Sequence, residues 1–208
     1  MANYSTYSAD YPQHIAPRDY DITSATPTMV STSQSLKRVT TSRGAHRFGV
    51  RFNYAAMTRD EFMPIWAFLM NQNGQAGDFT VALPNQEPRG TLATAPSQQL
   101  RLNAEATRGS TSLVLKNFAN SETDAVKAGD FFNITGSKKT YIAISDATSD
   151  STGLLTLDFF PKLQVDAAQD TIINFEPVIN VSLSNDLLSV NIPASKVYNF
   201  NIEFVERI

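Results

Sequence analysis

The side chains able to do chemistry in this sequence are few and poorly spaced for it. There is no cysteine among the 208 residues, which excludes disulfides, thiol nucleophiles and zinc-finger spacing. The two histidines, His14 and His46, lie far apart in sequence, so no serine triad can be argued around them. Neither has a metal-ligand partner at helical or hairpin spacing, and both read as surface residues. The carboxylate pairs Asp158/Asp166 and Asp146/Asp150 have the residue type of a glycosidase pair. They fall in turn or strand-end contexts, where aspartate more often closes a turn. Asp78 and Asp130 each follow a glycine at a strand start, again a turn placement. No Gly-x-Ser-x-Gly elbow, P-loop, His-Glu-x-x-His or Gly-rich dinucleotide turn is present. The expectation is a protein without catalytic, metal or cofactor residues.

Charge is more informative by its distribution than by its net value of −3. From Ile22 to Arg59 there is no acidic residue, while Lys37, Arg38, Arg43, Arg47, Arg51 and Arg59 give +6. The remainder holds eleven basic against twenty acidic residues, a net −9. Three readings stay open for the basic stretch: a solvated strand face, nucleic-acid binding, or a positive face that meets a negative one on another subunit. The basic residues are not interleaved with exposed aromatics, which favours subunit contact over a nucleic-acid groove. Lys138, Lys139 and Lys162 are too few for strong phosphate binding. Hydrophobic residues at 42% and charged residues at 18% describe a globular chain that can bury a core. The first residues carry no basic-then-apolar leader, and the longest apolar run, Phe62 to Met70, is too short for a bilayer. Synthesis in a cytosol as a soluble protein is expected, with no membrane insertion.

The elements that would position these residues are mostly strands. Residues 58–72 are the exception. Thr58 and Glu61 have capping-box spacing, and Met57 and Phe62 can form a hydrophobic staple. Phe62, Ile65, Trp66 and Leu69 fall on one helical stripe that carries the only tryptophan. Pro64 should kink or loosen the first turn, and Asn73-Gly74 should end the helix. Before it, residues 1–27 read as an extended arm, with Tyr4, Tyr7, Tyr11 and Tyr20 available to pack on something. Strands are expected at 28–33, 36–41 and 47–54, and after the helix at 79–83.

Residues 85–97 are linker-like, and a different texture of short strands and polar turns follows. Strands at 99–103, 111–116, 129–135, 140–145, 153–159 and 170–175 suggest a small Greek-key barrel, for which the OB-fold is the natural candidate. Its aromatics Phe131, Phe132, Tyr141, Phe159 and Phe160 include two adjacent pairs. One ring of each pair would face outward, either as a ligand platform or as packing. From Glu176-Pro177 the texture reverts, with a hairpin of 178–183 and 188–192 and a last aromatic strand at 197–205. Three strands cannot make a domain alone. The expected organisation is therefore a discontinuous domain of residues 1–90 plus 177–208, interrupted by a barrel domain at 91–176.

In that order, Gly77-Asp78-Phe79-Thr80-Val81-Ala82-Leu83-Pro84, Arg89-Gly90, Lys127-Ala128-Gly129-Asp130-Phe131-Phe132 and the stretch on to Tyr141 carry a resemblance. With Phe62 to Pro84 and the aromatic C-terminal strand, the chain resembles the distal tail proteins of long-tailed siphophages, in the branch with an inserted OB-fold. The resemblance implies a mainly β fold with one main α-helix, a tail-tube-like β-sandwich interrupted by an OB-fold-like β-barrel. It implies a homo-hexameric ring in the virion, at the distal end of the tail, joining the tail-tube protein to the baseplate hub or tip protein. Tail fibres could attach through the barrel, and DNA would pass through the lumen without specific binding. Lys37, Arg38, Arg43, Arg47 and Arg51 are then candidates for one side of the head-to-tail subunit contact. A glycan-binding baseplate module acting through the barrel, an ordinary tail-tube subunit and a hydrolase are the competing readings. The last would need acidic residues clustered in a cleft.

Overall fold

The structure, a computed structural model, describes residues 9–94, 99–175, 178–190 and 197–208. Among the described residues it is mainly β with one α-helix, and it packs as two units. One unit takes Pro17–Asp78 with Val181–Ile208, and the other takes Phe79–Asn180 with the segment ending at Ala16. The packing limits thus differ from those read off the sequence. Residues 79–90 and 178–180 fall with the middle segment, and the expected boundary at Glu176-Pro177 lies outside the described residues.

The first unit is built on β1 (Asp19–Ala25), β4 (Arg47–Asn53) and β13 (Asn201–Glu206). Alternation in β4 buries Phe48, Val50 and Phe52 and leaves Arg47 and Arg51 outside. β13 does the same with Ile202 and Phe204. The two strands pair antiparallel with Phe52 opposite Ile202 and Val50 opposite Phe204. The C-terminal strand is therefore hydrogen-bonded to an N-terminal one across the whole intervening sequence. β1 flanks β4 on its other side. It occupies part of what the sequence presented as an irregular arm. Only Tyr20 and Ile22 mark its inward face, and two apolar positions are a weak period-two signal. β12 (Val178–Leu183) pairs with β13 through Val181–Leu183. Within this unit the order is β1-β4-β13-β12, and β5 (Phe79–Ala82) belongs to the other unit.

The expected partner for β12, a strand at 188–192, is absent over residues 188–190, and 191–192 lie outside the described residues. The turn meant to close that hairpin is used elsewhere. The Asp186 carboxylate accepts the Gln75 amide just beyond the helix end.

Helix α1 (Arg59–Asn71) begins with the expected capping box, the Glu61 carboxylate accepting both the amide and the hydroxyl of Thr58. It runs on through Pro64 without breaking and ends where Asn73 adopts a left-handed conformation. Phe62, Ile65 and Leu69 are fully buried, while Trp66 is half-buried at the stripe's margin. Phe62 stacks on Tyr198 with ring centroids 4.9 Å apart and meets Phe200 edge-on at 5.2 Å.

The second unit carries the barrel. Its six strands are β6 (Arg101–Leu102), β7 (Ser112–Lys116), β8 (Phe131–Ile134), β9 (Thr140–Ala143), β10 (Leu155–Phe160) and β11 (Ile173–Asn174). They run in the order β11-β8-β9-β10-β7-β6, and the two outer strands approach one another through Leu102 N–H to Thr171 O and Ile173 N–H to Leu100 O. The sheet is nearly closed on itself. Leu102, Leu115, Phe132, Tyr141, Leu157 and Phe159 fill its centre. Phe132 stacks on Tyr141 at 5.5 Å and Phe159 meets both edge-on. In the same unit, Asp10 and Tyr11 run beside β5 and bond Thr80, and Tyr11 stacks on Phe79. This covers the outer edge of β5. Tyr4 and Tyr7, expected to pack similarly, lie outside the described residues.

Candidate interaction surfaces

The acid-free stretch forms a protruding ribbon. β2 (Thr28–Thr32) and β3 (Arg38–Ser42) pair with each other alone, Thr28 opposite Ser42 and Thr32 opposite Arg38. Their ladder continues that of β1 and β4 with an offset. Two residues separate β1 from β2, but four separate β3 from β4. His46, two residues before Phe48, continues the inward alternation of β4 past its start. It is buried, shares a 2.8 Å hydrogen bond with the Ser24 hydroxyl and packs edge-on against Phe48, contrary to its surface placement by sequence. His14 is exposed.

Every residue of β2 and β3 is exposed, including Met29, Val30 and Val39. At the tip, Leu36 is 84% exposed and adopts φ +62°, a conformation disfavoured for a leucine. Beside it stand Lys37 and Arg38, with Arg43 at the ribbon's base.

The other two basic candidates sit differently. Arg47 and Arg51 are on the outward face of β4, at the level of the main sheet. In register, Arg51 lies between Asp21 on β1 and Glu203 on β13, and its guanidinium is 3.4 Å from the Glu203 carboxylate. Exposed, screened pairs of this kind contribute little to stability, but they cancel charge. Of the five basic residues, Arg51 is thus paired with an acidic residue. The uncompensated positive charge of Lys37, Arg38 and Arg43 lies on the ribbon.

On the barrel, the aromatic candidates separate by burial. Phe131, Phe132 and Tyr141 are buried, and only Phe160 is partly exposed, on the outward side of β10. Both members of the Phe131-Phe132 pair are buried, so neither ring of that pair faces outward. No aromatic platform is formed by these four. Outward on the same three-strand ladder are Val114, Asp158 and Ile144, with the Ile144 amide bonded to the Asp158 carbonyl.

The strongest polar constellation holds the chain entering the barrel. The Asp130 carboxylate, with 1% of its side chain exposed, accepts the Lys127 amide, the Arg89 amide and the Arg89 Nε at 3.0–3.3 Å. Arg89 also reaches the Ala128 carbonyl. Gly90 follows at φ +76°, and a Cβ there would stand 2.2 Å from the Asp124 carbonyl oxygen. Gly90→Ala should therefore cost about 2 kcal/mol or more, since both the conformation and the space are wrong for a side chain. A lowered urea midpoint with unchanged slope checks this.

Asp146, Asp150, Asp166 and Asp170 act as structural brackets. Asp146 accepts the Ala128 amide and pairs with Lys127, and these bonds hold its carboxyl below the ordinary value of 3.8. Asp150 is lowered by the Thr152 hydroxyl and by the amides of Leu154 and Thr152. Asp170 is lowered by Lys116. Asp166 accepts the Arg108 amide. A carboxylate depressed in the folded state stabilises above its unfolded value and loses that contribution as pH falls through its folded value. Barrel stability should accordingly be level above about pH 5 and fall below 3.8. Thermal melts across pH 2 to 6 check it, and a barrel that strengthens on acidification would contradict it. Among the described residues, no cluster of three histidine, cysteine or acidic side chains is arranged to hold a metal, and no helix is long and apolar enough to cross a membrane.

Sequence reasoning located the cations but missed the exposed apolar residues between them. A thiol-free, threonine-rich strand pair with no buried face gives no periodicity to read, and Ile144 sits one residue past the end of β9. Against known proteins, no family model and no curated protein matches this chain.

Proposed function

We propose that the chain is a structural subunit of a siphophage tail, assembling as a hexameric ring at the distal end of the tube. In this reading the Pro17–Asp78 and Val181–Ile208 unit is tail-tube-like, the β6–β11 sheet is an OB-fold-like barrel, and the ring joins the tube protein to the baseplate hub or tip protein. DNA passes through the lumen, and the barrel is available to tail fibres. The observation that carries it is the antiparallel pairing of β13 with β4, strands that lie on either side of the β6–β11 sheet in sequence, which supports reading that sheet as an inserted domain. The resemblance of the Gly77–Pro84 and Lys127–Phe132 stretches to the distal tail proteins supports the same reading. The exposed cationic ribbon fits a head-to-tail contact, which a closed ring requires.

The test is native mass measurement and negative-stain imaging of the full chain, alone and co-expressed with a tail-tube protein. Single or paired rings with a central hole are expected. A monomer under both conditions would sink the reading, and open tubes would favour a tail-tube subunit instead.

A further inference from the structure

The ribbon and the outer barrel face have complementary surfaces. A two-stranded ribbon is marginal in water without a surface to pack on. Here both faces are exposed, with Met29 and Val39 on one, Val30 on the other and Leu36 at the tip. Burying those side chains is favourable at roughly 25 cal/mol per Å² of apolar surface. Lys37, Arg38 and Arg43 restrict the receiving surface to one that offers negative charge, because the ribbon has none.

Such a surface lies on the β7-β10-β9 ladder. On β10 the outward residues are Thr156, Asp158 and Phe160. Val114 is opposite Thr156, and Ile144, 58% exposed, is held beside Asp158. One exposed carboxylate is thus framed by three exposed apolar side chains. It belongs to the unit of Phe79–Asn180 and the segment to Ala16, which holds twelve acidic against eight basic residues, a net −4.

We propose that the β2–β3 ribbon of one copy docks on the β7-β10-β9 face of a second copy, with Leu36 against Ile144 and Phe160 and with Lys37 and Arg38 facing Asp158. The contact is heterologous, because the ribbon and its receiving face are different surfaces, and repetition of it can close a ring. It rests on the ring reading only in requiring more than one copy.

The absence of cysteine makes the test direct. One full-length preparation carries Leu36→Cys and another Ile144→Cys, and the equimolar mixture is treated with a short bis-maleimide. A two-chain product joining 36 to 144 is expected. Thr152→Cys, in the turn before β10, should give little product in place of Ile144→Cys. Asp158→Lys should reduce the 36–144 product about fivefold, as loss of an ion pair does, and Lys37→Glu with Arg38→Glu in the other copy should restore it. No 36–144 product, equal product at Thr152, or only 36–36 product would overturn the docking. So would salt-sensitive binding of duplex DNA by the ribbon without cross-linking. Rings without the 36–144 link leave the ring reading standing and remove this contact. The link without rings does the reverse.

Discussion

Asp130→Ala is expected to lower the stability of the barrel unit by about 3 kcal/mol. The carboxylate is buried and holds two backbone amides, those of Lys127 and Arg89, together with the Arg89 guanidinium. Truncation leaves both amides without this acceptor. Each buried orphan costs about 1–3 kcal/mol. Arg89→Ala should cost far less, about 1 kcal/mol or below, because 61% of the Arg89 side chain is in water and its main-chain bond to Asp130 survives. Asp130→Asn should fall between them, keeping one acceptor oxygen. Urea unfolding of the three variants, with hydrogen exchange read on peptides covering 127–143, checks the order. Equal losses for Arg89→Ala and Asp130→Ala would mean that the ion pair, not the amide clamp, carries the site.

That clamp shows how much the sequence disclosed. Gly129-Asp130 was readable as turn chemistry, because an aspartate after a glycine commonly bonds a nearby amide, and it does bond Lys127. That Arg89, in a linker forty-one residues away, is its second partner could not be read, since no local pattern encodes a contact of that separation. The helix was legible in its cap, its stripe and its stop for the opposite reason: every one of those signals is local. β4 and β13 were legible because burial on one face imposes strict alternation. β1, an edge strand with two inward apolar residues, was not. His46 was misplaced because the alternation was read only from Arg47 onward, although His46, two residues before Phe48, continues the same inward face. The basic stretch was seen as one face, yet register sets Arg51 between Asp21 and Glu203, and register is a property of the partners.

Phe62→Ala should be the most damaging single truncation in the helix, at about 3–5 kcal/mol. The side chain is fully buried and its ring touches three others: Tyr198 face to face, Phe200 edge-on and Trp66 at 5.7 Å. Removing it leaves a cavity between α1 and the residues that lead into β13, where Met57 and Tyr198 exchange backbone hydrogen bonds. Phe62→Leu keeps most of the volume and loses the aromatic contacts, worth about 0.5–1.5 kcal/mol beyond buried area. It should therefore recover more than half of the loss. Trp66→Ala should cost less than Phe62→Ala, because the indole is only half-buried. Hydrogen exchange distinguishes two ways for the C-terminal strand to be held. If the helix fastens it, Phe62→Ala accelerates exchange in both the helix and residues 198–206. If the β4 ladder suffices, only the helix loosens, and the pairing of Phe52 with Ile202 and Val50 with Phe204 alone keeps the two ends of the chain together.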